Sequence, residues 1–309
     1  MTQTIWNFLP KAEEAIIPTL NRLKAEGGYD KTVTYTKLLL KTANACAKFA
    51  LPVNGRIIND KLKGLPDGFR LPFPEIAIEY PVDDFTTGNL IDAPQISRKR
   101  IVVAVEFPLS DIGESESKAP TGATHMILVS AIIEADQNGD VVWIPGWSIG
   151  SVFNSRTSDG GAFAGTAQAI PCELGERVAK ATRDRGDSVS LSARQDIGHE
   201  VFAVLELCEA LSCSNVRAEK VAAPSKLNAK RSKSGKAPLP DYHVLTISTH
   251  HGETESATRA SVGDRRAIRQ HLRRGHVRVY QSGLRIWVNS TIVGNAANGR
   301  INKSYQMTA

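Results

Sequence analysis

Histidines gather near the end of the chain, at His243, His250, His251, His271 and His276, where they could bind a metal or transfer protons. A zinc site needs three or four ligands in a fixed geometry, usually with a thiolate or a carboxylate among them. The arginines near the last two histidines would repel a divalent cation, and the four cysteines lie too far apart to form a C-x-x-C pair. We therefore expect neither a metal nor another cofactor.

One arginine–histidine pair matches the spacing of a known kind of reaction centre. Arg265 or Arg266, followed by His271, has the spacing of helical ribonucleases of the HEPN type. In such a site the histidine acts as general acid or base, while the arginine stabilises charge developing on phosphate. The match comprises two residues, and the flanking sequence does not predict the long helical bundle of that fold. A metal-independent ribonuclease is therefore a secondary alternative, and no catalytic residue is assigned.

The last sixth of the chain carries a single sign of charge. From Arg265 to Ala309 there are nine Lys or Arg residues and no Asp or Glu. Clustered cations of this kind attract anionic partners. Metal-dependent cleavage of a phosphodiester would need carboxylates beside the basic groups, and this segment has none. The composition favours binding an anion over cutting it.

Within this segment, HVRVYQ and LRIWVN predict a β-hairpin joined by Ser282 and Gly283. Alternation predicts, to different degrees, that the apolar side chains lie on one face and the cationic and aromatic ones on the other. Such a ribbon can follow a phosphate backbone while Tyr280 or Trp287 stacks on exposed bases or sugars.

A second basic stretch lies upstream, where KLNAKRSKSGK places five cations within eleven residues. It lacks an apolar period and is flanked by prolines, so in isolation it should be extended or disordered and could order on binding phosphate. The alternative is a flexible linker whose lysines keep it soluble. The candidate nucleic-acid-binding residues of both stretches are Lys226, Lys230, Arg231, Lys233, Lys236, Arg269, Arg273, Arg274, His276, Arg278, Tyr280, Arg285 and Trp287.

Charge is divided unequally along the chain. Residues 217–309 contain 17 basic and 5 acidic residues, a net charge of +12, whereas residues 1–216 contain 21 and 27, a net charge of −6. This division predicts an acidic α+β body over 1–216, a basic linker or arm over 217–241 and a basic β-rich module over 242–309. The alternative is that the basic module folds back onto its own acidic body.

The elements that would position these residues follow from hydrophobic periodicity. Helical patterns occupy residues 11–25, 35–50 and 199–214, while residues 75–80 and 101–107 alternate or run apolar as strands do. Residues 125–147 predict a hairpin, in which Trp143 and Trp147 share a face if the strand continues past Pro145. We therefore expect an α+β fold with N-terminal helices, a mixed, mainly antiparallel sheet and a basic β-rich C-terminal module.

No run of eighteen apolar residues is present, and the first residues lack the order of charge and hydropathy found in a signal peptide. These features predict a cytoplasmic protein that does not associate with membranes.

Three segments also resemble a known group of proteins. CEALSCSNV, APSKLNAKRSKSGKAPLPDYHVLTI and HLRRGHVRVYQSGLRIWVNSTIVGNAANGRINKSYQM, in this order, resemble the C-terminal half of a widespread group of uncharacterised bacteriophage and prophage proteins. LPFPEIAIEYP, beginning at Leu71, resembles the upstream segment of that group. The resemblance covers roughly Cys208 to Met307 well. It implies a bacteriophage origin and a bacterial cytoplasm, and it assigns no catalytic residue.

Together these features predict a phage-encoded, non-enzymatic protein that binds DNA or RNA in phage replication, transcription or host takeover. The alternative is a protein-binding inhibitor of a host or defence enzyme, in which the basic module competes for a nucleic-acid partner. The two functions differ in the partner, which is nucleic acid in the first and a host protein in the second.

Overall fold

A computed structural model describes residues 5–57, 65–82, 99–111, 119–137, 140–156, 163–248, 269–273, 276–288, 291–293 and 295–300. The helices in this part of the chain are α1 (Phe8–Glu26), α2 (Asp30–Ala45), α3 (Glu173–Asp184), α4 (Val189–Leu211) and α5 (Ser225–Lys233). The strands are β1 (Ala47–Ala50), β2 (Glu75–Pro81), β3 (Lys99–Pro108), β4 (His125–Gln137), β5 (Asp140–Pro145), β6 (Ser148–Arg156), β7 (Phe163–Ala169), β8 (Val216–Val221), β9 (Tyr242–Ile247), β10 (Arg269–Arg273), β11 (His276–Val279), β12 (Arg285–Val288), β13 (Thr291–Val293) and β14 (Asn295–Arg300).

A nine-stranded sheet forms the centre of the fold. Its order is β7-β6-β4-β3-β2-β1-β9-β8, and β5 pairs with β4 beside this path. Strand β1 is parallel to both β2 and β9, whereas the other pairings in this sheet are antiparallel. The predicted α+β fold with a mixed, mainly antiparallel sheet is confirmed.

The strands with the clearest apolar patterns lie where the sequence predicts them. Residues 75–80 and 101–107 fall within β2 and β3, which pair from Glu75↔Val105 to Pro81↔Lys99. The predicted hairpin consists of β4 and β5, and its last pair is Gln137↔Asp140. Its turn, residues 138–139, lies outside the described residues.

The two tryptophans that follow this hairpin do not share a face. Trp143 packs with Phe8 and the apolar side chains of α1, whereas Trp147 packs on the opposite side of the sheet, beneath α4. Between Pro145, which pairs with Ile132, and Gly150, which pairs with Val129, the chain contains extra residues and forms a bulge. The prediction of a shared face is wrong because its condition, an uninterrupted strand past Pro145, is not met.

Helices α1 and α2 cover one face of the sheet. A buried acidic side chain lies at the start of α1, and a buried lysine lies at the end of α2. The Glu79 carboxylate accepts hydrogen bonds from the backbone N–H groups of Phe8 and Leu9, each at 2.8 Å, at the start of α1. Lys48 Nζ donates to the carbonyl oxygens of Asn44 and Cys46, at 2.8 and 2.9 Å, at the end of α2. Each charge opposes the partial charge of its helix end, so the sheet fixes where the helices begin and stop.

Helix α4 crosses the other face and packs closely because glycines oppose it. A Cβ at Gly150 would lie 2.8 Å from Val201 Cγ2, and a Cβ at Gly55 would lie 2.9 Å from Ala203 Cβ. Gly55 also has a φ of 64°, a backbone conformation that residues with a side chain rarely adopt. The predicted buried helix at 199–214 therefore corresponds to the second half of α4.

The central sheet includes strands from both sides of the domain boundaries that were predicted from charge at 216/217 and 241/242. Strand β8 pairs with β9, and β9 pairs with β1, so both strands belong to the central sheet. Between them the first eight residues of the KLNAKRSKSGK stretch lie in α5, and not in the extended or disordered segment expected from its composition. Beyond β9, strands β10, β13 and β14 form a three-stranded sheet, and β11 and β12 form a separate hairpin.

Candidate functional site

Helix α5 carries a row of lysines on one face. Lys226, Lys230 and Lys233 are spaced i, i+4 and i+7, so they align along the helix axis over about 10 Å. The sequence contains no Asp or Glu between Glu219 and Asp241. No residue of α5 is buried, so the row faces solvent. We call these three residues the lysine row.

Two other side chains of α5 hold the helix in place. Asn228 Nδ2 donates to Leu239 O at 3.0 Å, and Leu239 N donates back to Asn228 Oδ1 at 2.7 Å. Arg231 Nε donates to Ala237 O at 2.6 Å, and its Nη2 lies 3.2 Å from Glu14 Oε1 in α1. Arg231, predicted as a phosphate ligand, thus bonds within its own loop and to α1.

Among the described residues, the lysines of α5 and of the loop that follows it are not neutralised by neighbouring acidic side chains. Within the part of the chain that the structure describes, neither the lysine row nor Lys236 forms an ion pair. The structure therefore separates the predicted basic stretch into a supporting arginine and four solvated lysines.

The C-terminal hairpin exists, but its register differs from the predicted one by one residue. A turn of Ser282 and Gly283 alone would pair Arg278 with Trp287, whereas the structure pairs Arg278 with Ile286 and Val277 with Trp287. The turn is longer, since Tyr280 N donates to Leu284 O at 2.9 Å. A shift of one residue turns β12 over relative to β11. The predicted division into an apolar face and a cationic, aromatic face is therefore wrong.

Each face of the hairpin is mixed. Residues opposite one another in an antiparallel pair lie on the same side, so Arg285 and Trp287 share a face with Val277 and Val279. Arg278 lies on the other face, where its guanidinium carbon is 6.0 Å from the centre of the Tyr280 ring. Arg285 and Trp287 are half-buried, whereas Arg278 and Tyr280 are exposed.

The outer edge of β12 is attached to the loop between α4 and β8. Asn215 Nδ2 donates to Trp287 O at 2.9 Å, and Trp287 N donates to Asn215 Oδ1 at 2.8 Å. Ser214 N donates to Arg285 O at 2.9 Å. These bonds connect the hairpin to the central sheet and leave its turn projecting into solvent.

The lysine row and the hairpin lie near opposite ends of β8. The hairpin is attached at residues 214–215, just before β8, whereas α5 begins shortly after Val221, where β8 ends. Six residues of strand span about 20 Å. The structure thus does not merge the two predicted basic stretches into one compact patch. A ligand that contacts both must be elongated.

Other predicted residues are only partly placed. Arg269 and Arg273 lie in β10, and Arg274 lies outside the described residues, as do Arg265 and Arg266. The histidine of the ribonuclease alternative, His271, lies in the extended strand β10 and pairs with Val293. The helical ribonuclease site would need this histidine on a helix.

The other histidines do not form a metal site within the described residues. His243 stacks on Phe49, with ring centres 5.2 Å apart, and its ring is tilted against Phe73, with ring centres 5.3 Å apart. His276 lies in β11 and pairs with Val288, while His250 and His251 lie outside the described residues. Among the residues placed by the structure, no three His, Cys, Asp or Glu side chains could hold a metal ion.

Among the described helices, none combines the length and apolar character needed to cross a bilayer.

Sequence reasoning missed a polar cluster beneath α4. Glu200, which is fully buried, pairs with Arg100 of β3. One turn earlier, Asp196 accepts a hydrogen bond from Ser148 Oγ at 2.5 Å and another from the indole of Trp147. The sequence did contain a signal, since acids recur inside the apolar pattern of a helix expected to be buried. Glu206, which pairs with Arg56 at 2.5 Å, repeats it farther along.

Burial controls the protonation of this cluster. It raises the pKa of the Asp196 carboxyl to about 6, against the hydrogen bonds from Ser148 and Trp147. Burial likewise raises the pKa of Glu200 and, well above its ordinary value, that of the Tyr80 hydroxyl. Among the described residues, Tyr80 Oη and Glu200 Oε2 have no hydrogen-bond partner. The positive charge of Arg100 offsets part of the free-energy cost of burying these acidic side chains in the core.

Comparison of the chain with protein-family models, with curated proteins and with solved structures found no match.

Proposed function

We propose that this chain is a bacteriophage-encoded protein that binds nucleic acid in the bacterial cytoplasm, without catalysis, during phage replication, transcription or host takeover. The lysine row is the observation that carries the proposal of nucleic-acid binding. Supporting the phage origin is the resemblance of residues 208–307 to phage and prophage proteins.

The row suits a phosphate backbone in spacing and in charge. A nucleic-acid strand carries one negative charge per about 3.4 Å of helix axis, so about 10 Å of lysines faces about three phosphates. Lysine acts on phosphate as a flexible point charge and needs no fixed geometry. Because Arg231 and Asn228 already hold α5, the lysines need not order their own backbone when they bind.

The second basic element extends the contact. Arg278 lies exposed on the hairpin, near the other end of β8. The two elements are attached at opposite ends of β8, a strand about 20 Å long, which corresponds to about six nucleotides of one strand. An extended polyanion can contact both, whereas a small anion cannot.

Salt-titrated binding of labelled DNA and RNA oligonucleotides tests the proposal. Replacing the lysine row by alanine should weaken binding and reduce the slope of log K against log salt by about 1 per lysine. Alanine favours helix, so α5 should keep its structure. The matched control replaces Lys24, Lys37 and Lys41, three exposed lysines of α1 and α2, and it should leave the slope unchanged.

Two results would contradict the proposal. One is the absence of affinity for DNA and RNA at low salt. The other is an equal loss of slope in the control variant, which would mean that total charge and not the lysine row determines binding. A bacterial protein captured after nuclease digestion, and lost when the row is replaced, would instead support the inhibitor alternative if no oligonucleotide binds.

A further inference from the structure

The turn of the hairpin exposes apolar and aromatic surface. Tyr280 is 42% exposed, Leu284 is 46% exposed and Val279 is 49% exposed. Tyr280 lies opposite Leu284 and shares a face with it, whereas Val279 lies on the other face of the hairpin. Adjacent exposed apolar side chains mark an interaction surface more often than scattered ones do. Arg278 lies beside the tyrosine ring, so the same turn presents a cation and an aromatic face together.

Backbone hydrogen bonds fix the conformation of this turn before a ligand binds. Tyr280 N donates to Leu284 O, and Gly283 N donates to Tyr280 O, so the turn is closed by two backbone hydrogen bonds of 2.9 Å. Gly283 has φ of 81°, a conformation that glycine adopts without strain. The base of the hairpin is held by Asn215. An aromatic side chain on such a support loses little conformational freedom on binding.

We infer that the ligand is single-stranded nucleic acid, DNA or RNA, and that Tyr280 stacks on one of its unpaired bases. The inference rests on the proposed function and adds the class of substrate. Arg278 neutralises the phosphate next to the stacked base, while Leu284 covers the edge of that base. The lysine row binds phosphates farther along the strand.

The chemistry of the turn favours an unpaired base over a duplex. Bases in a duplex are stacked on one another and present only their edges in the grooves, which are recognised by hydrogen-bonding side chains. A tyrosine ring beside Leu284 and Arg278 needs the flat face of a base, which is available where the strand is unpaired. Trp287 does not share this role, since it is half-buried and faces Val277.

The test measures fluorescence anisotropy of labelled oligonucleotides of about 16 nucleotides, as single-stranded DNA, single-stranded RNA and duplex DNA. Wild-type protein should bind the single strands more tightly than the duplex. Tyr280→Ala should weaken single-strand binding roughly 5- to 150-fold, which is the range for loss of one base–aromatic stack. Because stacking releases no counterions, the loss should be the same at about 50 and about 200 mM salt.

Matched variants separate stacking from other effects. Tyr280→Phe keeps the aromatic face and should retain most of the affinity, whereas Lys233→Ala should reduce the salt slope. The ratio of the affinities for the DNA and RNA strands shows which of the two the protein prefers.

The outcomes distinguish this inference from the proposed function. If the wild type binds no oligonucleotide, the proposed function fails and this inference fails with it. If the wild type binds, but duplex binds as tightly as single strands or Tyr280→Ala changes nothing, the inference alone is refuted. Equal losses for Tyr280→Ala and Tyr280→Phe also refute it, because the hydroxyl and not the ring would then make the contact.

Discussion

The ion pair between Arg100 and Glu200 offers a sharp test of how the core is held. Both side chains lie between the sheet and α4, with Glu200 fully buried and Arg100 16% exposed at its side chain. Removing one partner leaves the other charge buried without its counter-ion. Arg100→Met or Glu200→Leu should each lower the free energy of unfolding by about 3–5 kcal/mol. That is a large part of the roughly 5–15 kcal/mol available to a folded domain.

The double variant should behave differently from the sum of the two. With both charges gone, methionine and leucine can pack in the same space, and such replacements of buried pairs are often neutral or stabilising. The double variant should therefore be several kcal/mol more stable than either single variant. Urea unfolding followed by circular dichroism measures all three free energies against the wild type.

A matched control uses the exposed pair of Arg22 and Glu26 in α1, whose side chains are 70% and 55% exposed. Arg22→Met should change the free energy of unfolding by less than about 0.5 kcal/mol, because water already solvates both charges. If the double variant at Arg100 and Glu200 loses the sum of the single losses, the two side chains are not coupled and our account of this core is refuted.

Two further predictions concern the acid next to this pair and the attachment of the hairpin. Because burial raises the pKa of Asp196 from 3.8 to about 6, the folded state holds its proton more tightly, and the stability this adds below pH about 4 is lost as pH rises through about 6. Relative to Asp196→Asn, the wild type should lose about 2 kcal/mol of unfolding free energy between pH 4 and 7, measured by urea unfolding; a constant difference would contradict this. Asn215→Ala removes both hydrogen bonds to the Trp287 backbone and should speed hydrogen exchange of residues 276–288 about tenfold or more, whereas Asn228→Ala, the control, should leave that segment unchanged. Unaltered exchange in the first variant would mean that Asn215 does not hold the hairpin.

The helices and strands with strong hydrophobic patterns were predictable because apolar residues that follow one another in the sequence indicate which segments are buried. IVVAVEF is apolar except for Glu106 and mostly β-branched, and it forms the middle of β3, a strand buried between helices on both faces. The second half of α4 was predictable for the same reason. The faces of the C-terminal hairpin were not, because the phase of one strand against the other depends on a turn whose length the alternation within each strand does not reveal.

Contacts between distant residues account for the other misses. Asp196 and Glu200 are charged residues on a buried helix, but the side chains that make their burial possible, Ser148 and Arg100, lie 48 and 100 residues earlier. Sequence reasoning also counted every acid as surface charge. Since Glu79, Glu200 and Glu206 are buried, the excess of acids in residues 1–216 overstates the negative charge that a ligand meets.

The pairing of β9 with β1 constrains how this protein can be made. Phe49, in the first strand of the sheet, lies beside His243, almost 200 residues later in the chain. While the protein is being synthesised, β1 must wait with one edge open until β9 emerges from the ribosome, although its partner β2 is already present. An open strand edge invites pairing with other nascent chains, and such distant pairing slows folding. Translation through β9 is therefore the step at which aggregation competes most directly with completion of the sheet.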